Sequence, residues 1–207
     1  PFTLADWENY VGKAVEVWGD RVDAWEVWDE PNQFILGYAD GTPEHYMDML
    51  RTAFQIIKAN YPEVPLIFGS LAASPDCADF AGTCWELGAA SYCDAIGFNL
   101  ENTSEDPRLA SVALATDPMP LWVSSIINSL EYGLEGQAEQ LTVFDTYLKK
   151  NAEKYRIQKA FWYCWVDYAK LGDETNCFGH PTSGGDFYGL VTIDLNPKPA
   201  YSRYQSL

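Results

Sequence analysis

Trp25-Glu26-Val27-Trp28-Asp29-Glu30-Pro31-Asn32 is the stretch whose reading settles the architecture. Its first part is aromatic and β-branched, as strands are, and it ends in two adjacent carboxylates followed by a proline. Neighbouring acids at a strand end cost free energy unless they face water, a cation or a ligand. The flanking sequence supplies helices. Upstream, Thr3 is placed to cap a helix carrying Leu4, Trp7, Val11 and Val15, with Asp6 set for a capping box. Downstream, Thr42-Pro43 opens a second helix with Tyr46, Leu50, Phe54 and Ile57 as its apolar stripe.

The alternation continues to the end of the chain. Pro65-Leu66-Ile67-Phe68-Gly69 predicts a strand, 79–90 a cysteine-containing helix, and 94–99 a third strand. A weak helix surrounds 109–115, Leu121-Trp122-Val123 is a fourth strand, and 135–155 is a long charged helix. Residues 160–166 read as a fifth strand, 172–189 as a Gly-rich loop, and 199–204 as a short terminal helix. Nearly continuous apolar strands, each followed by a helix, predict an α/β fold with a parallel sheet covered by helices. A closed eight-stranded α/β barrel typically takes about 250 residues, and only five such units are visible here. Either the sheet is open, or the missing strands lie on another chain or in a removed segment. The opening Pro1-Phe2-Thr3 reads as processed, trimmed or a fragment. Residues 1–207 are expected to form one domain.

Composition narrows the partners. Thirteen Lys and Arg against 30 Asp and Glu leave a net charge of −17, which argues against nucleic acid or an anionic membrane surface. No run approaches the roughly 18 apolar residues of a membrane span. Aromatic residues make up 15% of the chain, a richness that suits sugar binding and that large cores also show. Cys77, Cys84, Cys93, Cys164 and Cys177 have neither CxxC spacing nor a nearby His pair, so no zinc site is expected, and nothing calls for another metal or a cofactor. Disulfides in an oxidising, extracellular or secreted setting are expected, with Cys164 left over in an apolar run. The competing reading is five reduced, buried thiols. Asn102-Thr103-Ser104 fits the N-glycosylation pattern.

The carboxyl end of a parallel strand is where α/β barrels place their active sites, and the stretch 25–32 resembles the Trp-Asn-Glu-Pro strand of the retaining glycoside hydrolases with (β/α)8 barrels. The β-xylosidase and cellulase-like branches are the most similar. The resemblance implies that Glu30 is the general acid/base, and it puts Asp29 where the family has an Asn that binds the sugar 2-hydroxyl. Residues 64–72 resemble the fifth barrel strand. Cys93-Asp94-Ala95-Ile96-Gly97-Phe98-Asn99 is similar to the sixth, with Asn99 in place of a substrate-binding His. Phe161-Trp162-Tyr163, followed by Asp167, looks like the eighth, which makes Trp162 the floor of the sugar site. Tyr188-Gly189-Leu190-Val191 and Asn196-Pro197-Lys198-Pro199-Ala200-Tyr201 resemble the closing segment. On this register the fold is TIM-barrel-like, with strands four to eight present and strands one to three missing.

The seventh strand departs from the family. Its pattern, Pro-x-Trp-Val-Thr-Glu-x-Gly with the Glu as nucleophile, is here Pro120-Leu121-Trp122-Val123-Ser124-Ser125-Ile126-Ile127. Retaining hydrolysis needs two carboxyl groups roughly 5–5.5 Å apart, and Ser125 cannot form the glycosyl ester. A serine nucleophile needs a base beside it, and the sequence places neither His45 nor His180 there. Because Asp29, Asn99, Ile127 and Asn128 depart from the pattern as well, the loss reads as natural rather than engineered. Glu101, Glu131 or Asp167 is the candidate replacement carboxylate for an active enzyme. Glu30 reads either as an acid whose pKa Asp29 raises or as a hydrogen-bonding partner of a neighbouring strand. Glu26 is expected to pair with a cation. Trp162 and Trp165 are candidates for stacking on a sugar ring, with core packing as the other reading. The expectation is therefore a carbohydrate-engaging, hydrolase-like protein with impaired catalysis. The alternative is an assembly protein reusing a decayed barrel, with another chain or segment completing it through the exposed sheet edges.

Overall fold

The computed structural model describes residues 3–33, 42–101, 106–127, 133–170, 172–178, 180–181, 183 and 187–207. Five strands, β1 (Trp25–Asp29), β2 (Leu66–Leu71), β3 (Ala95–Glu101), β4 (Leu121–Ile127) and β5 (Ile157–Tyr163), form one parallel sheet in the order β1-β2-β3-β4-β5. Each strand pairs with the next in sequence, as in a barrel that is wound in one direction. Helices α1 (Leu4–Trp18), α2 (Pro43–Asn60), α3 (Cys77–Glu86), α4 (Pro107–Ala115), α5 (Gly133–Tyr155) and α6 (Pro199–Gln205) complete the α/β alternation. The architecture is a TIM-barrel-like sheet of five β/α units, incomplete as a barrel.

Local chemistry explains the helix starts. The Thr3 hydroxyl accepts from the Asp6 backbone N–H at 3.2 Å, and the Asp6 carboxylate accepts from the Thr3 N–H at 2.8 Å, closing the expected capping box on α1. Thr42 caps α2 ahead of Pro43. One face of α2 is fully buried through Tyr46, Met47, Met49, Leu50, Ala53 and Ile57. Phe54, predicted on that stripe, is half-buried and meets Tyr92 edge-on. The Tyr46 hydroxyl donates to the Val27 carbonyl at 3.0 Å and accepts from the Gly69 N–H at 2.7 Å, so one helix residue pins β1 to β2.

The main core lies between the sheet's outer face and the helices, where Val27, Phe68, Phe98, Leu100 and Val123 meet helix residues such as Leu50, Phe80, Leu109 and Phe144. The inner, concave face carries a small apolar cluster of Ile67, Ala95 and Trp122. Gly97 is required on β3, because a Cβ there would stand 2.8 Å from the Ser70 backbone. The closing segment is tied down by an ion pair between Asp167 and Lys198 (3.0 Å), both almost wholly buried, and the Gly189 N–H also donates to Asp167 at 2.8 Å.

Three expectations are corrected. The fifth strand lies at Ile157–Tyr163 rather than 160–166, because it starts directly after the turn at Arg156 (φ 56°) that ends α5. The helix expected over 79–90 stops at Glu86, where Gly88 turns left-handed (φ 91°) into a short 3-10 turn. All five cysteines are free thiols. Cys77, Cys84 and Cys93 pack as small apolar groups, and burial pushes the Cys84 and Cys93 thiols up to about 12. Cys164 is half-buried with its thiol on the Val166 carbonyl at 3.1 Å, and Cys177 is exposed. The cysteine count therefore carries no argument about compartment.

Candidate functional site

Two residues with left-handed backbone shape the end of β1: Trp28 (φ 73°) and Glu30 (φ 52°). Such conformations cost a non-glycine residue about 1–2 kcal/mol each. They break the strand's alternation. Val27 and Trp28, consecutive in sequence, both face the helices, where Trp28 meets Trp7 edge-on at 5.9 Å. Asp29 and Glu30 consequently both face the concave side, and the Glu30 N–H donates to the Ser70 carbonyl at 2.8 Å.

There they line an open cleft of about 380 Å³ with Glu26, Ser70, Asn99, Ser124, Ser125 and Tyr163. Asn99 is the hub. Its Nδ2 donates at 3.2 Å to Asp29 Oδ1 and at 3.2 Å to Glu30 Oε1, holding the adjacent carboxylates on one amide. Its Oδ1 is buried without a partner, and so is Ser125 Oγ on the neighbouring strand, where Asn99 and Ser125 stand opposite in register. Asn99 is 3% and Ser125 8% exposed, so both unfilled polar atoms lie deep in the cleft. Buried polar groups are nearly always paired, so each of these two atoms calls for a partner such as a water, an ion or a ligand group.

Glu26 lies in the same cleft, and the cation expected for it is absent among the described residues. Its carboxylate instead accepts from Ser70 Oγ at 2.5 Å and from Ser124 Oγ, because the inner faces of β2 and β4 present hydroxyls to it. Desolvation raises the Glu26 pKa, with the Asp29 charge adding to it, while the two serine bonds work in the opposite direction. Among the described residues no Lys, Arg or His lines the cleft, so its charged groups are all acceptors.

Of the residues singled out from sequence, Asp29, Glu30, Asn99 and Ser125 come together here. Trp162 does not. It lies on the opposite face of β5 among Leu141, Phe144 and Leu148, and its Nε1 donates to the Tyr188 carbonyl at 2.9 Å. The aromatic that reaches the cleft is the next residue, Tyr163, whose hydroxyl shares a 2.7 Å hydrogen bond with that of Tyr168. Trp165 packs edge-on against Tyr201 of α6. Asp167 is committed to Lys198 and does not line the cleft. Glu131, Asn128 and the Asn102-Thr103-Ser104 triplet lie outside the described residues, as does the side chain of Glu101. No motif in the sequence marks Ser70, Ser124 or Tyr163 as site residues. Only the strand ends on which they sit pointed to them. Among the described residues, no group of three His, Cys, Asp or Glu is placed to hold a metal.

Fold and cleft together define the class: a segment of a TIM-type α/β barrel, with most of the cleft's polar groups toward the carboxyl ends of the strands. No protein-family model matches the chain, and no curated protein matches it in sequence. Among solved structures it is similar to the GH39 enzyme from Xanthomonas axonopodis pv. citri, at 17% identity and TM-score 0.65 over 98% of this chain and 45% of that one. It is similar to a GH39 β-xylosidase from Caulobacter crescentus (17% identity, TM-score 0.67, 98% and 47%). A glucosidase from Croceicoccus marinus matches to the same degree (17%, 0.67, 98% and 45%). The likeness is one of fold, and the chain spans under half the length of these proteins.

Proposed function

We propose that this chain forms the acidic side of a glycoside-hydrolase-like carbohydrate cleft in which retaining hydrolysis is impaired. The observation that carries the reading is the Asn99 bridge between Asp29 and Glu30, with the open acceptor Asn99 Oδ1 and the unpartnered Ser125 Oγ beside it. A sugar is a ring of hydroxyls that donate and accept, and this cleft offers its carboxylates and Asn99 Oδ1 as acceptors beside the Ser125 hydroxyl. Glu30 is the proton donor to a glycosidic oxygen, and Asp29 and Asn99 hold ring hydroxyls. At the position of the nucleophile stands Ser125, whose hydroxyl has no base bonded to it and cannot form a glycosyl ester.

A second reading rests on the sheet edges. Among the described residues β1 and β5 each have one strand partner, and an unpaired edge recruits another strand. Another chain or segment completing the barrel on these edges is compatible with the cleft reading and supplies its remaining wall.

The test is hydrolysis of a panel of aryl glycosides by the protein with any partner still attached, beside Ser125→Glu and Ser125→Glu/Glu30→Gln. Silence of the unmodified protein, activity in Ser125→Glu and its loss in the double variant are expected. Turnover by the unmodified protein refutes the impairment. Silence of all three folded proteins refutes the hydrolase-like cleft.

A further inference from the structure

A row of aromatic rings leads out of the cleft. Tyr163, on its wall, meets Tyr168 edge-on with centroids 6.5 Å apart, and Tyr168 meets Phe178 at 5.4 Å. Tyr188 flanks Tyr163 at 6.2 Å. Phe178, beyond Tyr168, is 67% exposed, so its ring adds little to the core.

The described backbone around it is held by hydrogen bonds. The Cys177 N–H donates to the Tyr168 carbonyl at 2.7 Å, and Asn176 Oδ1 accepts from the Phe178 N–H at 3.0 Å and the His180 N–H at 3.1 Å. The Asn176 N–H closes the turn on the His180 carbonyl at 2.8 Å. Four hydrogen bonds hold the backbone around Phe178, which lowers the ordering entropy left to be lost when a ligand meets its ring.

The occupant follows from continuity and charge. The row begins at a cleft wall, so what lies on it also enters the cleft. A net charge of −17 and three cleft carboxylates turn away phosphate-bearing chains, although bases also stack on aromatic rings. A pyranose has an apolar C–H face for a ring and outward hydroxyls for acceptors. We propose that Tyr163, Tyr168 and Phe178 form an outer subsite row, and that the ligand is a neutral oligosaccharide rather than a single sugar, with Phe178 as the outermost stacking residue. This rests on the carbohydrate reading above and names its substrate class.

The experiment is calorimetric titration of wild type, Phe178→Ala and Phe178→Trp with xylohexaose and cellohexaose and with the corresponding disaccharides. Phe178→Ala weakens hexasaccharide binding about tenfold (about 1.4 kcal/mol) and leaves the disaccharide unchanged, while Phe178→Trp retains or improves the hexasaccharide. Because Phe178 is exposed, thermal unfolding of the variants should match wild type. Hexasaccharide binding indifferent to Phe178→Ala, or equal losses for both lengths, overturns the inference and leaves the carbohydrate reading standing. No binding of any of these sugars by wild type overturns both.

Discussion

Replacing Asp167 by Asn is the sharpest probe of the closing segment. Asp167 and Lys198 are 4% and 3% exposed, and the ammonium has the Phe187 carbonyl at 2.9 Å as its other acceptor. Burial pushes the Asp167 pKa up and the Lys198 pKa down, so desolvation penalises each charge by more than the pairing restores. The variant keeps the shape but leaves a buried cation with no counter-charge, a change that typically costs about 3–5 kcal/mol. For a chain of this size each kcal/mol lowers Tm by about 2–4 °C, which puts the loss at roughly 6–20 °C. Urea and thermal unfolding followed by circular dichroism read both quantities. The double variant Asp167→Leu/Lys198→Met should recover most of the loss, since a buried pair exchanged for apolar groups of similar volume is often neutral or better. A single variant within about 1 kcal/mol of wild type would refute the picture of a dry, uncompensated charge.

Other perturbations follow from the same geometry. Because the folded-state pKa of Glu26 lies above its unfolded value, its penalty is absent below the ordinary carboxylate range and sets in as pH rises through the folded pKa. Glu26→Gln should therefore gain stability relative to wild type at pH 7 and not at pH 4; equal differences at both pH values would count against the assignment. Gly97→Ala forces a methyl against the Ser70 backbone and should cost about 1–3 kcal/mol in a urea titration. A neutral result would mean that β2 and β3 are less closely apposed than described.

Much of the fold was legible because parallel strands covered by helices read as apolar runs, and Leu66, Ile67, Phe68 and Leu121, Trp122, Val123 are such runs. β5 is hard to place from sequence for the opposite reason. Its opening residues Gln158 and Lys159 lie exposed on the last strand, while the apolar stretch at Cys164, Trp165 and Val166 has already left the sheet. That matters for the site, since on a strand of period two a one-residue ambiguity exchanges the faces, and it is the difference between Trp162 and Tyr163. The paired acids Asp29 and Glu30 announced themselves by adjacency. The serines that hold Glu26 did not, because they come from β2 and β4, and no local pattern says that hydroxyls so far along the chain share one carboxylate.

The hydrogen bond from Ser124 to Glu26 also bears on shape. Flat, the distance from β1 to β4 is three strand spacings, about 14 Å, more than a glutamate and a serine joined by one hydrogen bond can bridge. The contact therefore acts as the chord of an arc: it skips the two strands between, and it exists only while they bow. Glu26 and Ser124 thus tie the arc together across its concave side, where a closed barrel is held around its circumference by the pairing of its last strand with its first.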